Sequence, residues 1–227
     1  MRRPKTIAAS TFRGAVESLI AQVKVYKRIK RQVPEIRDSF LGGVISKLYA
    51  EFENYVSDSI TERIRVINVT GKKFRDLPET IQAIAIDNRI NHDHYRQFYA
   101  SKDEFVFLKR IKNQLDNGGF SWDPDAFSEI DPENILKKDR YPSIENIKIL
   151  YRRVGVQDIV GSLNRELRKN SVTFLQSIND LRCGFVHEAN NPAINETDIV
   201  NDMNAMVKLV MALDYILYQN TKTFENT

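Results

Sequence analysis

Apolar positions in this chain recur at intervals of three and four. Phe12, Val16, Leu19, Ile20, Val23, Tyr26 and Ile29 form one such stripe. That spacing puts side chains on one face of an α-helix. Ser10 or Thr11 can cap this helix, and Pro34 is expected to end it. A second stripe, Ile36, Phe40, Val44, Leu48, Phe52, Tyr55, Ser59 and Arg63, is flanked by Leu41, Ile45 and Val56 and predicts a long helix from Glu35 to about Ile67. Gly42 and Gly43 lie inside it. Each costs about 1 kcal/mol relative to Ala in a helix interior, so they either admit a close neighbour or mark a break.

Thr70, Gly71, Lys72 and Lys73 read as a turn, and Pro78 as the first residue of a helix reaching Ala100. A further helix is expected from Lys102 to Leu115, stopped by Asp116, Asn117, Gly118 and Gly119. Residues 118–142 hold three prolines and should be the longest irregular stretch, anchored by Trp122. Ser143 opens a helix that Gly155 closes, 156–170 carries no clear period, and 172–186 is helical again, with Phe174, Leu175, Ile178, Leu181 and Phe185 on one side. Asn191 and Pro192 break it. Asn195 or Thr197 caps the last helix, whose stripe is Ile199, Met203, Met206, Val207, Val210, Leu213 and Leu217. No run of alternating residues bounded by hairpin turns appears. The expected class is all-α, a single domain over 1–227 made of packed amphipathic helices. Its parts are an N-terminal helix (1–34), a helical or irregular insertion (70–142) and a closing set of helices (143–218).

Composition narrows the class. The 227 residues are 42% hydrophobic and 28% charged, which suits a packed globule rather than a disordered chain. No apolar stretch approaches the ~20 residues that span a bilayer, and Arg13 and Glu17 interrupt the only candidate for a secretory leader. No membrane association is expected. Cys183 is the single cysteine, so neither an internal disulfide nor a cysteine-built metal site can form. The expected compartment is a reducing cytoplasm.

The net charge is +4, but residues 1–37 hold ten Lys or Arg against two acids. The densest run is Lys24, Lys27, Arg28, Lys30 and Arg31. It could follow a phosphate backbone, RNA included, or an acidic partner, or simply be a solvated helix face.

Chemistry-bearing patterns are few. There is no glycine-rich phosphate loop and no HExxH. His92 and His94 lie about 200° apart around a helix and would not converge on one ion; no metal and no other cofactor is expected. The segment Leu181-Arg182-Cys183-Gly184-Phe185-Val186-His187-Glu188 is more informative. A histidine can relay a proton near neutral pH, and an arginine can grip a phosphate with two donors. RNA brings its own nucleophile, the 2′-hydroxyl. The two residues are five apart, which on an ideal helix leaves their directions about 140° apart. Either the helix unwinds near His187 or two copies of the motif line one cleft. The motif alone is not specific, because Arg89 and His94 match it too.

Context makes it more specific. Phe52-Glu53-x-Tyr55 sits in a long apolar helix. Ser143-x-x-Asn146-x-x-x-Leu150 precedes the motif helix, and a polar loop leads from the motif into the capped helix at Asn195. This order resembles the HEPN superfamily, and more narrowly its RiboL-PSP-HEPN-like group, over residues 35–218. The resemblance implies a helical bundle, a homodimer with its cleft at the dimer interface, and metal-independent cleavage of RNA through an Arg-x4-6-His motif. It further implies a toxin or antiphage defence role, with an antitoxin or defence-system partner protein. Carried over, Arg182 and His187 are the catalytic pair, with Glu53 and Asn146 in support. Two positions depart from the family pattern. Cys183 stands where a polar residue usually follows the Arg, and Glu188 stands where Gly usually follows the His. A thiol is a weak donor that packs like a small hydrophobe. The alternative is a non-catalytic module of the same fold that dimerises and binds RNA or protein.

Overall fold

The computed structural model describes residues 5–70, 73, 76–82, 106, 109, 129–136, 142–187 and 195–226; at 34, 178, 181, 182, 184–187 and 223–226 it describes the backbone alone. The chain is all-α, with no strand among the described residues. Helix α1 (Ile7–Ile29) is followed by a single 3-10 turn (Pro34–Ile36) and the long α2 (Arg37–Val69). Then come α3 (Pro132–Leu136), α4 (Ile144–Arg153), α5 (Ile159–Leu167), α6 (Ser171–His187) and α7 (Glu196–Asn226).

Hydrogen bonds at both ends of α1 set its direction. Thr6 Oγ1 accepts from the Ala9 N–H at 3.1 Å, and the Glu62 carboxylate accepts from the Ala8 N–H at 2.7 Å. The cap is therefore Thr6, a turn earlier than Ser10 or Thr11. The apolar residues Ala8 and Ala9 are already buried and extend the stripe toward the N-terminus. At the other end Tyr26 stacks on Phe40 with ring centroids 4.6 Å apart. So α1 runs antiparallel to α2, and its links to Asp214 and Glu196 make it antiparallel to α7 as well. It stops at Ile29, before Pro34, which instead opens the 3-10 turn.

The core lies where α1, α2 and α7 pack on one another, with α5 against α7 and α6 against α2. The α2 stripe from Val44 to Arg63 and the α7 stripe from Ile199 to Leu217 are buried throughout. Phe12 meets Phe52 and Tyr55 with centroids 6.3 and 6.0 Å away. Two expected core positions lie at the edge instead: Ile29 and Ile36 are 41% and 43% exposed, next to the turn where α1 hands over to α2. Gly42 and Gly43 do not break α2, and a Cβ at Gly43 would meet nothing within 4 Å.

The stretch 156–170 resolves into α5, capped by Asp158, which accepts from the Gly161 N–H at 2.8 Å. Arg168, at φ 53°, ends it. Asn170 then accepts from the N–H groups of Val172 and Thr173 and starts α6. The expected irregular stretch 118–142 contains the short α3, whose Ile135 carbonyl accepts from buried Arg153 at 2.7 Å. The helix at Pro78 is described as far as residue 82. Its continuation to Ala100, Trp122, Arg89 and His92–His94 lie outside the described residues, as does most of the Lys102–Leu115 helix.

Candidate functional site

Helix α6 carries the Arg182–His187 motif in its last turns. Its backbone is helical up to His187, so of the two arrangements the spacing leaves open, an unwound helix end that brings the two residues to one point is not the one adopted. The side chains of Arg182 and His187, and all of Glu188, lie outside the described residues; Cys183 is half-buried.

One turn before Arg182, Asn179 is tied to α2: the Tyr49 hydroxyl donates to Asn179 Oδ1 at 3.3 Å. The N-terminus of α4 meets them there. Ser143 caps it by accepting from the Asn146 N–H at 3.1 Å. A cavity of about 90 Å³ is lined by Tyr49, Ser143, Gln176 and Asn179, so three helices converge on one spot. Glu53 lies one turn beyond Tyr49 on α2, and Asn146 lies in the first turn of α4; both are half-buried. The three helices that carry Glu53, Asn146 and the motif are therefore neighbours. On the same helix as Glu53, Lys47 pairs with Glu51 at 2.7 Å, because i to i+4 brings those two together. Sequence reasoning missed the Tyr49–Asn179 link. Tyr49 reads as one more core aromatic, and only tertiary packing shows where its hydroxyl goes.

The basic run divides into two sets. Lys24, Arg28 and Arg31 are exposed. Lys27 Nζ donates to Thr197 Oγ1 at 3.0 Å and Lys30 Nζ to Glu196 Oε2 at 2.9 Å, which fastens α1 to the start of α7. Burial alone would raise the Glu196 carboxyl, but the Lys30 hydrogen bond and charge hold it below its ordinary value. Asn195 completes that helix start by accepting from the N–H groups of Thr197 and Asp198. The loop leaving the motif thus re-enters the fold at a fixed point.

Within the core, Tyr55, Tyr151 and Ser59 gather three hydroxyls near Asp214. Burial raises both phenols well above their ordinary value, so they stay protonated. Burial also raises Asp214, partly offset by hydrogen bonds from Thr6 and the Lys5 N–H at 2.7 and 2.6 Å.

A family model described as HEPN_MAE_28990-like HEPN matches residues 13–200. The chain belongs to the HEPN superfamily. The match takes in α1 from Arg13 onward and the segment between α2 and α3 as well as the motif helix. No curated protein and no solved structure matches the chain. No helix among the described residues is long and apolar enough to cross a membrane.

Proposed function

We propose that this HEPN protein is a metal-independent endoribonuclease, with Arg182 and His187 as its catalytic pair. What supports the reading most is the position of the motif. It closes the helix that meets α2 and α4 at the Tyr49–Asn179 contact, in a chain the HEPN family covers for most of its length.

The chemistry needs little from the protein. The RNA 2′-oxygen attacks the adjacent phosphorus, the bond from phosphorus to the 5′-oxygen breaks, and a proton passes from the attacking to the leaving oxygen. The products are a 2′,3′-cyclic phosphate and a 5′-hydroxyl. His187 carries the proton, and Arg182 binds the phosphate and offsets the charge that develops on it. Since α6 stays helical to His187, one copy holds the two residues on different sides. A cleft between two copies would bring them together, so the working unit is a homodimer. Glu53 and Asn146 support the cleft from α2 and α4, and the exposed Lys24, Arg28 and Arg31 hold RNA outside it. By family resemblance the setting is a toxin or antiphage defence effector in the cytoplasm, restrained by an antitoxin or defence-system partner protein.

Cys183 and Glu188 favour a second reading. A weak donor after the Arg and a carboxylate after the His fit a domain that binds RNA or protein without cutting it. Purified protein incubated with structured RNA in excess EDTA separates the two. Cleavage by the wild type and none by His187→Ala supports the nuclease. RNA binding by both with cleavage by neither supports the binding module.

A further inference from the structure

On α6 the residues Ser171, Leu175, Asn179 and Cys183 follow one another at intervals of four and share one face. Ser171 and Leu175 are 0% and 4% exposed, while Asn179 and Cys183 are half-buried. The helix is thus sunk into the fold at its start and less enclosed toward the motif. Asn179 stands where that change occurs, and there the Tyr49 hydroxyl of α2 donates to its Oδ1 at 3.3 Å. Tyr49 belongs to the core and is itself only 4% exposed, so the hydroxyl on its ring is a fixed point.

Helical period places the motif on both sides of that face. Counting about 100° per residue from Asn179, position 182 lies about 60° to one side and position 187 about 80° to the other. A turn of α6 about its axis therefore brings one of the two positions toward α2 and takes the other away. Packing resists such a turn only weakly at this level. The cavity of about 90 Å³ lies beside the bond, lined by Tyr49, Leu175, Gln176, Asn179 and the start of α4, and a void supplies no contacts to oppose movement into it. A directional bond does oppose the turn, because a hydrogen bond weakens steeply as it is bent.

We propose that Tyr49 is a positioning residue for the motif: through Asn179 it sets the rotation of α6, and with it how positions 182 and 187 are offered to the cleft. The consequence for cleavage rests on the nuclease reading; the setting of α6 does not. Tyr49 acts from within the core and touches no substrate. Reacting groups must be held to within about 10–20° of their productive direction. A misplacement of that order lowers the rate without a matching loss of substrate binding.

The test compares the full chain with Tyr49→Phe, Asn179→Ala and the double variant, each well below its melting transition. Tyr49→Phe keeps the ring and removes only the hydroxyl. Gly155→Ala, which strains a turn away from α6, is the control for a loss of stability alone. The first readout is the rate at which Cys183, the single cysteine, reacts with an aromatic disulfide reagent. Cys183 sits one turn beyond Asn179 on the same face, so it reports the rotation of α6 whether or not the protein cuts RNA. The second readout is kcat and KM for cleavage of structured RNA in excess EDTA. The expected labelling rate changes by about threefold or more in Tyr49→Phe, by the same factor in Asn179→Ala, and no further in the double variant, since both substitutions remove one bond. With it kcat falls about tenfold at unchanged KM, while Gly155→Ala leaves labelling and kcat as they are. Unchanged labelling in Tyr49→Phe would overturn the proposal. So would a Tyr49→Phe that cuts RNA as fast as the wild type, single effects that add in the double variant, or a Gly155→Ala that behaves like Tyr49→Phe. A wild type that does not cut, with labelling changed as expected, would sink the nuclease reading and leave Tyr49 as the residue that sets α6.

Discussion

Lys30 Nζ lies 2.9 Å from Glu196 Oε2 and joins the end of the first helix to the start of the last. The pair is asymmetric: the Lys30 side chain is 41% exposed, the Glu196 side chain 4%. Removing the lysine takes from a buried carboxylate its hydrogen-bonded counter-charge and leaves it the charge of Arg37. Lys30→Ala should therefore cost about 1–2 kcal/mol, more than a surface pair and less than a fully buried one. Chemical denaturation at neutral pH measures it, and a cost near zero would mean the pair is ornamental.

The same pair predicts a pH dependence. Burial raises Glu196, the Lys30 hydrogen bond and charge lower it, and the net position is below the ordinary 4.5. A carboxyl lowered on folding contributes stability that is complete above 4.5 and is lost as pH falls through its folded value. Asp214 is raised above its ordinary 3.8 and acts in the opposite sense, gaining stability as pH falls toward that value. Glu196→Gln should accordingly flatten the loss of stability between pH 5 and acid, roughly within the 2 pH units around 4. An unchanged acid limb in that variant would assign the loss to other carboxylates.

Much of this was legible before the structure, and the failures have physical causes. The stripes of α2 and α7 can be read because each repeats over many turns, although α7 is enclosed on all sides over 209–214, where the stripe shows only Val210 and Leu213 of the buried residues. The cap of α1 was misplaced because Thr6 is followed by Ile7, Ala8 and Ala9, which read as a continuation of chain rather than a start. Ile29 and Ile36 fit the period but sit where the helices part, and a period alone cannot show where a neighbour ends. Residues 156–170 were opaque because α5 spans only nine residues between Asp158 and Arg168. At the site, the motif could be read as residue types at a spacing. Its neighbours Tyr49 and Asn179, 130 residues apart, could not, because that contact exists only once α2 and α6 have packed.

Two glycines in helices and one in a turn should respond in opposite ways. Gly43 and Gly14 lie inside helices, with nothing within 4 Å of an added Cβ. Gly43→Ala and Gly14→Ala should each stabilise by about 0.5–1 kcal/mol. Gly155 has φ +94°, and its added Cβ would stand 3.3 Å from Pro78. Gly155→Ala should destabilise by about 1–3 kcal/mol. Thermal melts of the three variants check the signs, and a stabilising Gly155→Ala would contradict the turn geometry.

The division of the basic run gives a binding prediction. Lys24, Arg28 and Arg31 are exposed, whereas Lys27 and Lys30 hold α7. If the exposed set contacts RNA, neutralising all three should reduce the salt slope of binding by about 2, with little change in melting temperature. Lys30→Ala should instead lower the melting temperature. Filter binding across a salt series reads the first effect. An unchanged slope in the triple variant would remove this helix from the RNA surface.

The sharpest test of the catalytic proposal uses two inactive proteins. His187→Ala removes the proton carrier and should lower cleavage by about 10²–10⁴-fold, as should Arg182→Ala through loss of phosphate binding. Glu53→Gln and Asn146→Ala should act more weakly, since neither carries the proton. If the cleft sets Arg182 of one copy against His187 of the partner subunit, mixing the two inactive variants creates dimers with one intact site and one empty site. With random exchange half the dimers are mixed, and activity should return to about a quarter of the wild-type level. If both residues of a site came from one chain, no mixed dimer would hold an intact pair and the mixture would stay silent. The helical backbone through His187 favours recovery, because on one copy the two residues stand on different sides of α6.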